Sequence, residues 1–385
     1  MARPAALKRL VLTLISTAFS LGIAEAAVRV LGVTDPVFRD SDPVLGWVPA
    51  PGAHGWWTRE GRGYVAITDH GFRGVDLPPG RAPSGTLRIA LVGDSYVEAR
   101  QVALEDSIGA RLPRELESCA PGPVEVLAFG VSGYGTAQEY LLFRERIARY
   151  HPDVVLLAFL TGNDVADNQP DVRMNDDPSP YFSLGPGGAL VLDTSFAETE
   201  EYRTRASDAG WLWFRRHSQL VRALYGIGGH GNGAARGELG LSDEVYSPPV
   251  TPGWQDAWAR TEAILAHYAR DVEREGARFA VVTLSNAIQV DPEPDARERY
   301  RAAIHADDLD YPDHRVAEAG ARDGYPVLNL APALRVYAET YHEWVHGFPN
   351  TTMGTGHWNE TGHRVGAEET ARWLCARGLA AHQSE

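Results

Sequence analysis

Arg88-Ile89-Ala90-Leu91-Val92-Gly93-Asp94-Ser95-Tyr96 is the stretch on which the reading of this chain turns. Four consecutive apolar residues run into a Gly-Asp-Ser turn, and a helical-looking run follows, as at the end of a buried strand. Ser95 then stands at the carboxyl end of that strand. Open α/β sheets bind ligands just outside such ends, so Ser95 is a candidate nucleophile. A serine at a strand-to-helix turn is equally suited to capping the helix, and this stretch alone does not separate the two roles.

Working outward, the mostly apolar run Val124 to Phe129 is followed by Gly130-Val131-Ser132-Gly133-Tyr134-Gly135. A third run, Val154 to Leu160, is followed by Thr161-Gly162-Asn163-Asp164, and Gly356-His357-Trp358-Asn359 lies near the carboxyl terminus. Taken in order, these four stretches resemble the four blocks of the SGNH (GDSL-type) hydrolase family, from roughly Arg88 to the end with a long interruption. The resemblance implies a serine esterase without metal or organic cofactor. Ser95 would be the nucleophile and His357 the base. The backbone N–H groups of Ser95 and Gly133, with the side-chain amide of Asn163, would form the oxyanion hole. Glycine suits position 133 physically, because without a Cβ the backbone comes close to a substrate. Asp94 and Asp164 read as turn-stabilising residues that accept backbone hydrogen bonds.

Two positions depart from the family pattern, which places an aspartate three residues before the histidine where this chain has Gly354. That carboxylate would fix the imidazole tautomer, so either a backbone carbonyl orients His357 or a carboxylate elsewhere fills the role. Glu360 is near, but its place at the start of the last helix favours a capping role. Ala128 stands where many relatives carry Asn.

Strand-like and helical segments alternate from residue 87 onward. Helices are expected around Ser107 to Glu117, Ala137 to Tyr150, Trp254 to Glu275, Pro312 to Asp323, Pro332 to Val345 and Thr361 to Gly378. Further strands are expected at Phe279 to Leu284 and Val327 to Leu330. Strands apolar on both faces imply a parallel sheet covered by helices. The expected class is therefore α/β, and the resemblance implies a three-layer α/β/α sandwich with a flavodoxin-like five-stranded parallel sheet of order 2-1-3-4-5. In that order Ser95 and Asn163 meet at the switch point. Residues 87–385 form this hydrolase domain, interrupted after the third strand by an insertion, 170–252, rich in Gly, Pro, Asp and Ser. The insertion is either a substrate-binding cap or a mobile surface excursion, with one amphipathic helix expected from Trp211 to Tyr225. Residues 34–86, rich in Pro, Gly and aromatics, read as short strands and turns packed against the main domain, without evident chemistry.

Residues 1–30 read as a targeting segment: Arg3, Lys8 and Arg9, then an uncharged run from Leu10 to Ala24. About 15 residues fall short of the ~20 that span a bilayer, and Ala24-Glu25-Ala26 offers a cleavage site, which favours a signal peptide. Continuation through Ala26 to Leu31 would make the segment an uncleaved membrane anchor instead. The product is thus exported, periplasmic or secreted, or membrane-anchored. The formal net charge of −15 argues against non-specific nucleic-acid binding, which needs a basic face. Cys119 and Cys375 lack metal-type spacing and read as two unpaired residues, although pairing in an exported protein is open.

His342-Glu343-Trp344-Val345-His346 matches the zinc-binding His-Glu-x-x-His pattern at the end of a plausible helix. Gly347 and Pro349 stop the helix there, so a zinc peptidase is a minor alternative. Asn175-Asp176-Asp177 lacks the ligand spacing of a calcium loop. The glycosylation sequons at Asn350 and Asn359 read as fortuitous, the second because a glycan there would lie beside His357. The expected partner is a small-molecule or carbohydrate ester, with short acyl groups preferred. The alternatives are a carbohydrate O-acetyltransferase using the same site and a carbohydrate- or envelope-binding protein on a decayed hydrolase scaffold.

Overall fold

The computed structural model describes residues 3–32, 34–174, 177–207, 209–227 and 241–381. Two units are distinguished, residues 1–37 with 207–235, and 38–206 with 236–385.

In the larger unit, the apolar runs become strands β5 (Leu87–Gly93), β6 (Val124–Gly130), β7 (Val154–Leu160), β10 (Arg278–Leu284) and β11 (Val327–Asn329) once the preceding and intervening short strands are numbered. Those short strands are β1 (Arg39–Asp42), β2 (Gly46–Pro49), β3 (His54–Trp57), β4 (Gly63–Ala66), β8 (Tyr181–Leu184) and β9 (Leu190–Asp193). The five long strands form one parallel sheet in the order β11-β10-β7-β5-β6. A mixed α/β fold around a five-stranded parallel sheet is what the alternation implied.

Every residue of β5 and β7 is buried. Fully burying a Val, Leu or Ile contributes about 1.5–3 kcal/mol, which explains why these strands occupy the middle of the sheet. Side chains alternate between two cores: Ala90 and Val92 enter one, Ile89 and Leu91 the other. The first core is completed by α4 (Thr136–Glu145), α8 (Pro252–Arg274) and α10 (Tyr311–Asp323), the second by α3 (Ile108–Leu116), α11 (Ala331–Tyr341) and α12 (Glu360–Ala376). Helix starts follow local chemistry. Ser107 Oγ accepts from the Ala110 N–H, Thr251 precedes Pro252 at the head of α8, and the Asn359 side chain accepts from the N–H groups of Thr361 and Gly362.

The remaining helices are α1 (Arg3–Leu31), α2 (Ser95–Glu98), α5 (Glu200–Ser207), α6 (Ala209–His217), α7 (Gln219–Ile227) and α9 (Pro294–Ala303). The single helix expected from Trp211 to Tyr225 is two, broken at Ser218. The helix expected to reach Val345 stops at Tyr341, because His342 adopts the left-handed conformation (φ 53°). Residues 38–67 form two antiparallel ribbons, β1–β2 and β3–β4, within the segment read as short strands and turns.

Cys119 and Cys375 are joined in a disulfide, contrary to the unpaired reading. Packing of α3 beside α12 brings their Cα atoms to 5.8 Å, within reach of a bridge, although 256 residues separate them in sequence.

Candidate active site

The register of the sheet sets the site. Gly93 lies opposite both Gly130 and Ala158, so the turns after β5, β6 and β7 leave neighbouring strands at one edge. Ser95, Gly133 and Asn163 lie on these turns, and each is only half-buried, as is His357 on the loop before α12. Most of their immediate neighbours, including Asp94, Tyr96, Tyr134, Asp164 and Trp358, are fully buried.

Ser95 Oγ and His357 Nε2 are 2.8 Å apart. A further carboxylate, which the sequence did not single out, completes the chain of contacts. Glu60 Oε2 lies 2.5 Å from His357 Nδ1, and Glu60 Oε1 accepts the His357 backbone N–H at 2.7 Å. Glu60 sits in the turn between β3 and β4, in the segment that had no evident chemistry. Asn350 holds this turn in place: its Oδ1 accepts the Gly61 N–H at 2.9 Å, and its Nδ2 donates to the carbonyls of Thr58 and Gly61. The first of the two sequons is therefore a structural clamp, and Asn359 of the second caps α12. Burial would raise the Glu60 carboxyl, but the charge and hydrogen bonds of His357 outweigh it and hold the group below the ordinary glutamate range.

Gly354 explains why the carboxylate comes from elsewhere. Its φ is +82°, and a Cβ there would stand 2.3 Å from the Trp344 ring. An aspartate at 354 is excluded by the indole that fills its place. Glu360 begins α12, and Asn359 is the cap.

The loop carrying Gly133 (φ +83°) is held from both sides. The Ser132 carbonyl accepts from the Arg39 guanidinium and, at 3.2 Å, from Trp47 Nε1. The Ser132 N–H and hydroxyl both donate to Glu98, the N–H at 2.8 Å, and Glu98 is paired with Arg100 at 2.6 Å. Arg39 lies over the Trp47 ring and also meets Asp177 at 3.1 Å. Residues 175 and 176, the rest of the Asn-Asp-Asp piece, fall outside the described residues.

Beneath Ser95, Asp94 accepts the Tyr96 N–H at 2.9 Å and a hydrogen bond from the Asn163 side chain. Asp164 accepts the Leu160 N–H at 2.8 Å. Burial pushes Asp94 up to about 6, although the Tyr96 amide and the charge of His357 pull the other way. Burial also raises Asp164 and Glu139, and the charges of neighbouring carboxylates add to the effect.

His342, Glu343 and His346 are not brought together on a helix face. His342 is the left-handed residue ending α11, and Glu343 accepts from the Tyr337 hydroxyl at the surface. His346 is buried, with Nδ1 2.6 Å from the Gly356 carbonyl and Nε2 3.0 Å from Ser285 Oγ. Burial lowers its pKa to about 4, so it is a neutral structural residue bracing the His357 loop.

No protein-family model matches the sequence, and no curated protein matches it. Among solved structures, the chain is similar to the acetyl xylan esterase AlAXEase, with 12% identity, TM-score 0.38, and coverage of 74% of this chain and 98% of that one. It is also similar to a lipase/acylhydrolase from Enterococcus faecalis, with 13% identity, TM-score 0.37, and coverage of 76% and 96%. A third is a catalytic mutant of an acetylxylan esterase from Geobacillus stearothermophilus, with 10% identity, TM-score 0.37, and coverage of 74% and 93%.

Proposed function

We propose that the protein is a serine esterase in which Ser95, His357 and Glu60 act as one proton-handling unit. The observation that carries this reading is the continuous chain from Ser95 Oγ through both ring nitrogens of His357 to the Glu60 carboxylate. A carboxylate on Nδ1 keeps the proton there and leaves Nε2 free to take the Ser95 proton as Oγ bonds to the ester carbonyl carbon. The Ser95 and Gly133 N–H groups and the Asn163 amide are the proposed donors to the resulting oxyanion. His357 then returns the proton to the departing alcohol, leaving an acyl-serine. Water, deprotonated by the same nitrogen, releases the acid. Asn163 has two amide hydrogens; one held by Asp94 orients the group and leaves the other for the oxyanion.

A short acyl group, such as an O-acetyl on a carbohydrate, is the proposed substrate, and this part rests on the sequence resemblance alone. The test is a series of aryl esters from acetyl to long chain, together with labelling by an organophosphonate and Ser95→Ala as control. Stoichiometric labelling of the wild type, none of the variant, and fastest turnover of the acetyl ester are expected. Absence of labelling would leave a binding protein. Preference for long chains would remove the acetyl assignment while leaving the esterase.

A further inference from the structure

The smaller unit contains none of the active-site residues, and its chemistry is of another kind. Ala6–Leu31 of α1 is long and apolar enough to cross a bilayer, and none of it is buried within the protein. Its one acidic residue, Glu25, is engaged by the insertion. Glu25 accepts from Ser218 Oγ at 2.8 Å and from the backbone N–H groups of Gln219 and Leu220 at 2.9 Å, so a side chain of α1 caps the start of α7. One turn further on, Arg29 pairs with Glu25 at 2.7 Å and donates to the His217 carbonyl at the end of α6. The break between α6 and α7 is therefore clasped by two residues of α1.

The clasped hairpin differs from the rest of the chain in charge and in exposure. Residues 209–227 carry Arg215, Arg216 and Arg222 and no acidic residue, in a protein of formal net charge −15. Trp211, Trp213 and Phe214 are each 43–55% exposed, and Leu224 is 61% exposed. Exposed indoles beside arginines, next to the end of an apolar helix, are the composition of a segment lying at a membrane surface. Arg3, Lys8 and Arg9 at the start of α1 place that end on the cytoplasmic side, which puts the hairpin on the opposite face.

We propose that the α6–α7 hairpin is a docking surface for an anionic lipid bilayer, and that α1 is retained as its anchor. Retention follows from Glu25, because a cut after Ala26 would remove the acceptor for Ser218 and the first amides of α7. The occupant is lipid because the patch is continuous with the membrane-length helix and carries the charge that complements acidic headgroups.

The test uses the full chain reconstituted in vesicles of phosphatidylcholine and phosphatidylglycerol, with brominated phosphatidylcholine as a quencher buried among the acyl chains. Tryptophan emission of the wild type is expected to fall, and the W211F/W213F variant is expected to lack that component. The R215Q/R216Q variant should weaken surface binding of the hairpin by about five-fold for each charge removed. Unchanged aryl-ester turnover checks the folding of these variants. As a measurement on the wild type alone, a photoreactive phospholipid should label residues 209–227, and the intact mass should include the first 26 residues. Equal quenching of wild type and W211F/W213F overturns the proposal. So does recovery of a chain cut after Ala26. Tryptophans shielded from aqueous quencher yet untouched by brominated lipid would assign the face to a protein partner and overturn it as well.

Discussion

Replacing Glu60 with Gln separates the carboxylate from its geometry. The side chain keeps its length, and its carbonyl oxygen still accepts the His357 backbone N–H that now bonds at 2.7 Å. The other contact changes sign. At 2.5 Å from Nδ1, an amide N–H donates where a carboxylate accepted. The imidazole proton moves to Nε2, which faces Ser95 Oγ at 2.8 Å and can no longer take its proton. Loss of the equivalent carboxylate in a serine protease costs about 10⁴ in kcat, or about 5 kcal/mol of transition-state stabilisation. Glu60 retains 17% side-chain exposure, so water restores part of the loss, and a fall of about 10²–10⁴ is expected. The assay is steady-state hydrolysis of an aryl acetate, with KM expected within about three-fold of wild type because the effect belongs to the transition state. Combining Glu60→Gln with His357→Ala should add almost nothing to His357→Ala, since the residues act as a unit. Gly354→Asp, which supplies a carboxylate three residues before the histidine, should not rescue Glu60→Gln, because its side chain would meet the Trp344 ring. A kcat for Glu60→Gln within about three-fold of wild type would refute the reasoning.

Asn163→Ala should lower kcat by about 10²–10³ with little change in KM, and a change confined to KM would remove Asn163 from the oxyanion hole. Replacing both Cys119 and Cys375 with Ser should lower unfolding stability by about 2–4 kcal/mol, read as an earlier urea midpoint, and an unchanged midpoint would count against a stabilising bridge. Asp94→Asn tests the buried acid beneath Ser95. A carboxyl raised from 3.8 to about 6 favours folding while protonated, and that advantage disappears as pH rises through about 6. Ionised Asp94 therefore costs on the order of 3 kcal/mol at neutral pH. Asn keeps the acceptor for Tyr96, so the variant's melting temperature should gain on wild type from about pH 4 to about pH 8, whereas a constant gap would contradict the shift.

The parts of the molecule that were legible are those whose signal is local. Val154 to Leu160 is apolar throughout because it is buried on both faces, and the turn residues after it mark the strand end. Ser95 and His357 were legible because each lies in a short block with its own pattern. Glu60 was not, because its partner is 297 positions away and it lies in a segment of short strands and turns whose sequence carries no recognisable chemistry. The one available signal was negative: Gly354 left His357 without its expected carboxylate. The break at Ser218 carried only the signal of a capping serine, whose Oγ accepts the Val221 N–H; no Gly or Pro marks it, and the Glu25 contacts that reinforce it come from α1. The disulfide depends on two helices lying side by side, a fact of packing that cysteine spacing does not contain.

The extension therefore has a different standing from the one its composition suggested. Its first ribbon is part of the main core, since Leu45, Trp47 and Val48 pack there, and Arg39 and Trp47 fix the Ser132 carbonyl beside Gly133. Its second ribbon is not. Val65 and Ile67 belong, with Phe38, to a small cluster separate from both cores that flank the sheet. The carboxylate that meets His357 is thus carried by a satellite hairpin with few apolar contacts of its own, held to the rest by Asn350, by the Arg62 N–H on the Gln101 carbonyl, by Arg73 on the Tyr64 carbonyl, and by the close approach of Gly61 and Gly63 to residues 100–102. Segments of that kind open at a lower free energy than the fold around them. Fold and activity should consequently come apart under mild denaturation, with esterase turnover lost as the β3–β4 hairpin lifts Glu60 from His357 while the parallel sheet still stands.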